Sequence, residues 1–446
     1  MLKNLEGVNK LTKNITPFEG NKIIVVGLGY VGLTFALFLT KLGFKVYAIE
    51  KNLKFSDELN MGKTEILDEG LQEALLDAIQ NKRLVINGNF ENSESRNIFV
   101  VTVGTPIESK ESSLSQINEV RSLLNKLIQN NDLVILRSTL KIGTSQKFYE
   151  DLSQTTGKKF SLAMCPERTV EGNALIELAS LPQIISGVNQ KSLDDADKFF
   201  SNFGVETVRV ENTSTAELIK LATNTYRDLN FAFGNEIALI AENYGIDAWS
   251  AIKFANYNYP RSQIQFPGLT GGPCLEKDPH ILAISAREVG IEANITLAAR
   301  NTNLLLPEES LQKILRHPKY ADSIRKNFLI LGLAFKGSPP TRDTRGSMAF
   351  AIRDVIKKRL PETRVTAWDP LVINCSDLEL EEDLGSALAN ADVIIIQNNN
   401  KELLRQFKLQ AKANLREGVL IYDFWNVLSK KDLPEQSNLI SLGKIL

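Results

Sequence analysis

Hydrophobic residues fall along this chain in two rhythms: short unbroken apolar runs, and longer stretches with apolar positions three and four apart. The first run, Lys22-Ile-Ile-Val-Val26, is β-branched and continuous, as a strand buried on both faces must be. Gly27-Leu-Gly-Tyr-Val-Gly32 follows, then an apolar helical stretch to about Leu42, Gly43, and a second strand at 45–49 that ends in Glu50. Similar runs at 98–103, 133–136 and from Leu162 onward predict further strands. Between 213 and 244 the period changes. Leu218, Leu221, Ala222, Leu229, Ala232, Phe233, Ile237 and Ile240 predict one long helix, interrupted or bent at Gly234. A second strand–helix alternation begins near Lys326, with a strand and glycine turn at 328–336, further strands at 364–370, 392–396 and 419–423 and a helix at 347–359. The pattern predicts an α/β chain with two doubly wound, Rossmann-like domains joined by a central helical region.

At 446 residues the chain is long enough for two or three domains, each with its own core. Its net charge of -1 supplies no field to draw it to nucleic acid or to an anionic membrane. Three scattered cysteines, Cys165, Cys274 and Cys375, argue against a disulfide framework and suit a reducing cytoplasm. Two histidines and no Cys/His cluster predict no metal site. Residues 23–39 are largely apolar, but Gly27, Gly29 and Gly32 punctuate them, so they read as strand–turn–helix rather than a membrane span. The polar, mixed first twenty residues carry no signal-peptide pattern.

The Gly27–Gly32 segment has the full dinucleotide-binding context: a strand before, a helix after, and an acid about 20 residues on. Gly27 permits the tight turn, Gly29 lets a pyrophosphate reach the helix N-terminus, and Gly32 allows close helix–strand packing. Tyr30 and Val31 lie within the same turn. Glu50 can accept from a ribose 2′-OH and would repel a 2′-phosphate, which favours NAD over NADP, with Lys51 beside it as a counterweight. Thr105, Pro106, Ser138 and Thr139 fall just beyond strand ends, where ligands bind in parallel sheets and where ordinary polar loop residues also sit.

Glu167 and Glu171, in Cys165-Pro-Glu-Arg-Thr-Val-Glu-Gly172, are candidate bases or simply solvated loop acids. Lys220 and Asn224 are four apart and project from one helix face, either as a site for a developing oxyanion or as a solvent-facing polar pair. Lys336, Arg342 and Arg345 gather near the first turn of the second α/β pattern, where they suit phosphates. The most informative segment is Phe266-Pro-Gly-Leu-Thr-Gly-Gly-Pro-Cys-Leu-Glu-Lys-Asp-Pro279. Its glycines, Gly268 among them, let a substrate approach the backbone, and Lys277 and Asp278 follow Cys274 closely. A cation or helix N-terminus would make Cys274 a nucleophile; a buried turn would make it structural.

Taken together, GLGYVG, VGTP, ST with KIGT, CPER with EG, ELIKLATNTYRD, GGPCLEKDP, GLAFKG and DTRGS resemble the UDP-glucose/GDP-mannose dehydrogenase family from about Asn21 to the C-terminus. The resemblance implies NAD-dependent, four-electron oxidation of a nucleotide-sugar C6 hydroxyl to a carboxylate, for polysaccharide precursors, in a homodimer. It implies an N-terminal extension at 1–20, an NAD domain at 21–210, a helical dimerisation region with the cysteine loop at 211–305 and a UDP-sugar domain at 306–446. It places Cys274 as nucleophile, Glu167 as base for thioester hydrolysis, and Lys220 with Asn224 at the C6 oxygen. Asp278 would work with a bound water and Thr139 would position one. Arg345 would meet the cofactor, while Lys336, Arg261 and, in the loops, Glu171 and Gly268 would meet the substrate.

The chain departs from the family pattern at Pro273, at Asn398-Asn-Asn400 and at Asp423-Phe-Trp-Asn426. CPER leans towards the N-acetylhexosamine-oxidising branch, such as UDP-N-acetylmannosamine dehydrogenases, with UDP-glucose and UDP-N-acetylglucosamine as the other sugars. A related two-electron dehydrogenase would not need Cys274, and a nucleotide-sugar sensor would bind without making NADH.

Overall fold

The computed structural model describes residues 21–88, 96–108, 111–318, 320 and 326–444; the predicted N-terminal extension, 1–20, lies outside them. The chain divides into two compact units, one of Met1–Thr223 with His280–Glu292, the other of Asn224–Pro279 with Ala293–Leu446.

The first unit is built on an eight-stranded sheet: β1 (Lys22–Val26), β2 (Val46–Ile49), β3 (Leu84–Ile86), β4 (Asn97–Val101), β5 (Leu133–Leu136), β6 (Ser161–Met164), β7 (Gln183–Gly187) and β8 (Thr207–Arg209). Their order is β8-β7-β6-β5-β4-β1-β2-β3. Every pair is parallel except β6 with β7. Alternation along β1 explains the unbroken apolar run. Ile23 and Val25 join one core, with Ile98 and Val100 of β4 and the phenylalanines 35, 38, 199, 200 and 203. Ile24 and Val26 join the opposite core, with Phe99, Val101 and Leu152. Both faces are covered, as in a doubly wound sheet.

The second unit carries β9 (Asn327–Leu331), β10 (Arg364–Trp368), β11 (Glu379–Leu380), β12 (Val393–Ile396), β13 (Leu420–Asp423) and β14 (Asn438–Ser441). They form an all-parallel sheet, β11-β10-β9-β12-β13-β14. Phe328 and Ile330 face one core and Leu329 and Leu331 the other, so this sheet too is buried on both sides. The fold predicted from apolar rhythm is the fold observed, and residues 23–39 are β1, a turn and helix α1 (Tyr30–Lys41). Among the described residues no helix is long and apolar enough to cross a membrane.

Four more helices carry or support the candidate chemistry: α2 (Thr144–Thr156), α3 (Thr213–Asn243), α4 (Asp278–Glu288) and α5 (Asn294–Arg316). The expected interruption at Gly234 is absent, since α3 runs unbroken through it. That glycine answers a packing need: a Cβ there would lie 2.2 Å from the carbonyl oxygen of Gln265.

Candidate active site

The Gly27–Gly32 turn is built in the first unit by three glycines with three different jobs. Gly27 holds φ +88°, a conformation L side chains rarely adopt. A Cβ on Gly32 would sit 1.9 Å from Gly27 O and 2.6 Å from Thr102 Oγ1, so only glycine lets α1 close on the sheet. A Cβ on Gly29 would meet nothing within 4 Å, and this residue caps α1 without any side-chain hydrogen bond. The first turn of α1 therefore offers backbone N–H groups towards open space, the arrangement that suits a pyrophosphate.

Glu50, at the end of β2, accepts from Leu28 N at 2.7 Å through Oε2 and from Asn52 N at 2.8 Å through Oε1. Its carboxylate braces the glycine turn and remains partly exposed beside it. Lys51 turns to Glu119, at 2.8 Å, rather than to Glu50. Thr105 and Ser138 use their hydroxyls to tie loops together, donating to Thr139 O and Val103 O, both at 2.6 Å. Pro106 O accepts from Ser113 N at 2.8 Å. The strand-end residues thus lie together at the carboxyl edge of the sheet, with Thr139 partly exposed among them.

Tyr30 has a role the motif alone did not reveal. Its hydroxyl lies 2.5 Å from Asp68 Oδ2 and accepts from Gly172 N at 3.0 Å. Asp68 also accepts from Ala174 N at 2.8 Å. Burial, followed by Asp68, pushes the Tyr30 phenol far above its ordinary pKa, so it stays protonated. Neighbouring Val31 is partly exposed in the first turn of α1. Helix α1 is thereby fastened to the loop that carries Glu167 and Glu171. Asp68 sits 38 residues from Tyr30, a separation no local pattern encodes.

Glu167 lies two residues beyond Cys165, which follows the end of β6, and it is only 7% exposed. Its Oε1 accepts from Thr169 N, and its Oε2 stands 3.9 Å from Lys220 Nζ of α3, itself 7% exposed. Arg137, at the end of adjacent β5, is buried with its guanidinium 4.6 Å from the Phe35 ring centroid and its Nη1 donating to Gln183 Oε1 at 3.2 Å. Burial pulls the Arg137 pKa down, and the negative charge of Glu167 opposes that. Burial likewise pushes the Cys165 thiol up to about 12, which removes it as a nucleophile. Glu171 is partly exposed on the same loop.

The second unit holds the cysteine loop. Cys274 is exposed, unlike Cys165. Its carbonyl accepts from Asp278 N at 2.9 Å, which turns the chain into α4. Asp278 opens that helix and is fully buried. Its two oxygens are both engaged: Oδ2 by Asn224 Nδ2 of α3 at 2.6 Å, Oδ1 by Lys277 Nζ at 2.7 Å. Lys220 lies one turn before Asn224 on α3.

The glycines before Cys274 are close-approach positions. A Cβ on Gly268 would lie 2.6 Å from the Trp425 ring, and one on Gly271 would lie 2.3 Å from Gly346 O. Gly272 has φ +94° and donates to Gly346 O at 2.9 Å. Arg261 stacks its guanidinium 4.9 Å from the Tyr259 ring centroid. Lys336 lies 5.5 Å from the Phe335 centroid, and Arg345 pairs with Asp343 at 2.5 Å while remaining exposed.

Both departures from the expected pattern in the C-terminal sheet have a local use. Asn398 donates to Ala334 O at 3.2 Å, and Asn400 caps the following helix through Glu402 N and Leu403 N. Asp423 accepts from Trp425 N, Val427 N and Leu428 N at 2.9, 2.7 and 2.9 Å. These side chains hold the loops at the carboxyl edge of the second sheet.

Profiles of three successive domains match the chain: the NAD binding domain of the UDP-glucose/GDP-mannose dehydrogenase family over 21–203, its central domain over 214–304 and its UDP binding domain over 329–430. The chain belongs to the UDP-glucose/GDP-mannose dehydrogenase family. As a member of that family it is an NAD-dependent oxidoreductase. The UDP-N-acetyl-D-mannosamine dehydrogenase of Pyrococcus horikoshii is 31% identical over 393 residues, covering 85% of this chain and 90% of that protein. The enzyme of the same name from Methanococcus aeolicus is 30% identical over 436 residues and covers 95% of each chain. A solved structure of the Pyrococcus horikoshii enzyme superposes with a TM-score of 0.84 at 27% identity, covering 95% of this chain and 99% of that one. The open, uncapped start of α1 at Gly29 fits the cofactor that the family's NAD binding domain takes.

Proposed function

We propose that this member oxidises the C6 hydroxyl of UDP-N-acetylmannosamine to the carboxylate, and that Cys274 holds the intermediate. The observation that carries the covalent route is the contrast between two thiols. Cys165 is buried and held protonated, whereas Cys274 is exposed on a glycine loop just before α4. The choice of sugar draws on the relatives named UDP-N-acetyl-D-mannosamine dehydrogenase.

The Gly27–Gly32 turn would hold NAD, with Glu50 available to a ribose hydroxyl, and NAD would supply the acceptor for two hydrides. The alcohol loses a hydride and a proton to become the aldehyde. Cys274 adds to the aldehyde carbon, giving a thiohemiacetal whose oxygen Lys220 and Asn224 steady. Loss of a second hydride and proton leaves a thioester on Cys274. Glu167 takes a proton from the attacking water, the carbon–sulfur bond breaks, and the thiol is restored. The sum is one alcohol, two NAD⁺ and one water giving one carboxylate, two NADH and three protons. Asp278 keeps Asn224 oriented through their 2.6 Å hydrogen bond, and Thr139 directs a water. Arg345 would meet the cofactor, while Glu171, Arg261, Gly268 and Lys336 would meet the nucleotide sugar.

The working form in this reading is a cytoplasmic homodimer that feeds polysaccharide synthesis. Tyr226, Phe233 and Ile240 support the dimer: they are exposed at seven-residue intervals along α3, and a second copy would cover them.

The experiment is NADH production at 340 nm with NAD⁺ and UDP-N-acetylmannosamine, UDP-N-acetylglucosamine, UDP-glucose, UDP-galactose or GDP-mannose. Two NADH per UDP-N-acetylmannosamine consumed is the expected result. One NADH per sugar would remove the covalent role of Cys274, and preference for another sugar would replace the substrate.

A further inference from the structure

Behind the cysteine loop lies a cluster of four buried polar side chains that the reaction does not use. Asp228 and Asn235 come from α3, and Arg300 and Asn303 from α5; none is more than 3% exposed. Arg300 Nη1 donates to Asp228 Oδ1 at 2.7 Å and to Leu275 O at 3.0 Å. Its Nη2 reaches Thr270 O and Thr270 Oγ1, each at 3.4 Å. One guanidinium therefore grips the backbone on both sides of Cys274, four residues before it and one residue after.

The rest of the cluster extends that grip. Asn235 meets Gly268 as a strand neighbour would, accepting from its N–H at 2.8 Å and donating to its carbonyl at 3.1 Å. Asn303 Oδ1 accepts from Asn235 Nδ2 at 2.8 Å, which fixes the orientation of the Asn235 amide. Asn303 in turn donates to Asp228 O at 3.0 Å and to Asp228 Oδ1 at 2.9 Å. Four backbone polar groups of a loop rich in glycine thus find partners on two rigid helices. Glycine loops are otherwise the segments with most freedom to lose.

We propose that Arg300 is the positioning residue of the nucleophile: with Asp228, Asn235 and Asn303 it holds the loop so that the Cys274 thiol meets the C6 aldehyde before it can leave. Arginine suits the place because its planar fork donates in several fixed directions at once, which lysine cannot copy. A buried cation without a counter-charge would unfold the site, and Asp228 supplies that charge. This inference rests on the covalent route above. It predicts a specific failure, in which the first oxidation survives and the second does not.

The test uses the double variant Asp228→Asn/Arg300→Met, which removes both charges together and leaves no uncompensated ion, and the single variant Arg300→Lys. The expected result is a folded protein with a wild-type NAD dissociation constant. Its NADH yield falls from two towards one per sugar, the aldehyde is captured by added hydroxylamine, and kcat drops roughly tenfold or more with little change in KM. Arg300→Lys restores the yield in part.

Cys274 labelling by iodoacetamide, with peptide mapping, is read in parallel. The rate should change roughly fivefold or more in the double variant, with or without sugar. Two NADH per sugar together with wild-type labelling would overturn the proposal. Equal loss of both oxidations with unchanged labelling would also overturn it. A labelling change in a protein inactive on every sugar would uphold the positioning role and refute the substrate reading instead. If the double variant fails to fold, Thr270→Ala and Asn235→Ala carry the same two readouts.

Discussion

Asn224 Nδ2 lies 2.6 Å from Asp278 Oδ2, so an amide on α3 is aimed by the first carboxylate of α4. Asp278 is fully buried and Lys277 engages its other oxygen, which leaves the amide one orientation. If Asn224 steadies an oxyanion, Asp278→Asn and Asn224→Ala should fail in different ways. Asn224→Ala removes the donor and should lower kcat by roughly 10²–10³-fold, the usual cost of one such donor. Asp278→Asn leaves the donor but loses its orientation, and its smaller loss should be accompanied by a lower Tm. Steady-state kinetics and a melting curve on the two variants check this; equal effects on kcat would refute it.

If Cys274 is the nucleophile proposed above, Cys274→Ala should lose turnover to the acid by roughly 10³-fold or more, because a nucleophile acting in a concerted set cannot be replaced piecemeal. Binding of NAD in the first unit should be unchanged. Calorimetry with NAD⁺ and NADH yield with sugar are the two measurements, and full turnover by the variant would favour a two-electron enzyme.

The glycine turn separates a folding requirement from a binding one. Gly32→Ala would place a methyl 1.9 Å from Gly27 O and should destabilise the first unit severely. Gly29→Ala meets no protein atom within 4 Å and needs no unusual backbone, so Tm should hold. Its methyl fills the space before α1, and the NAD dissociation constant should rise about tenfold, or roughly 1.4 kcal/mol. Thermal melting with and without NAD⁺ distinguishes the two.

Alkaline pH should weaken the fold through Cys165. Well below pH 9 folded and unfolded states both keep the thiol proton, so there the group contributes no pH dependence. Burial raises the folded thiol from 9.0 to about 12, so between those values the unfolded state sheds a proton that the folded state retains. Stability therefore falls as pH rises through that window. Cys165→Ala should flatten the fall by up to one proton, measured by denaturant titration from about pH 8 to 10.5. Identical slopes would refute it.

If the exposed stripe on α3 is the dimer face proposed above, charging it should release monomers. Phe233 is 45% exposed in the single chain, so Phe233→Glu should fold while sedimentation velocity shows monomer. A dimer that persists would place the interface elsewhere.

Much of this protein was legible from local pattern. Parallel strands buried on both faces must be continuously apolar, so the runs at Lys22, Leu133 and Phe328 announced two doubly wound sheets. Gly27 and Gly32 were readable because their constraint is local, a turn and a helix packed on the strand beside it. Cys274 stood out because a thiol among glycines is a chemical statement by itself.

What tertiary structure decided is everything that depends on partners distant in sequence. Asp68 binds Tyr30 across 38 residues, and Arg300 reaches Leu275 across 25. Gly234 looked like a helix break, yet it marks where Gln265 crosses α3. Cys165 and Cys274 are the same residue type, and only burial separates the inert thiol from the exposed one. Apolar periodicity records which face of an element turns inward. It carries no record of which buried polar group will satisfy which other, because that pairing is set only when the elements pack.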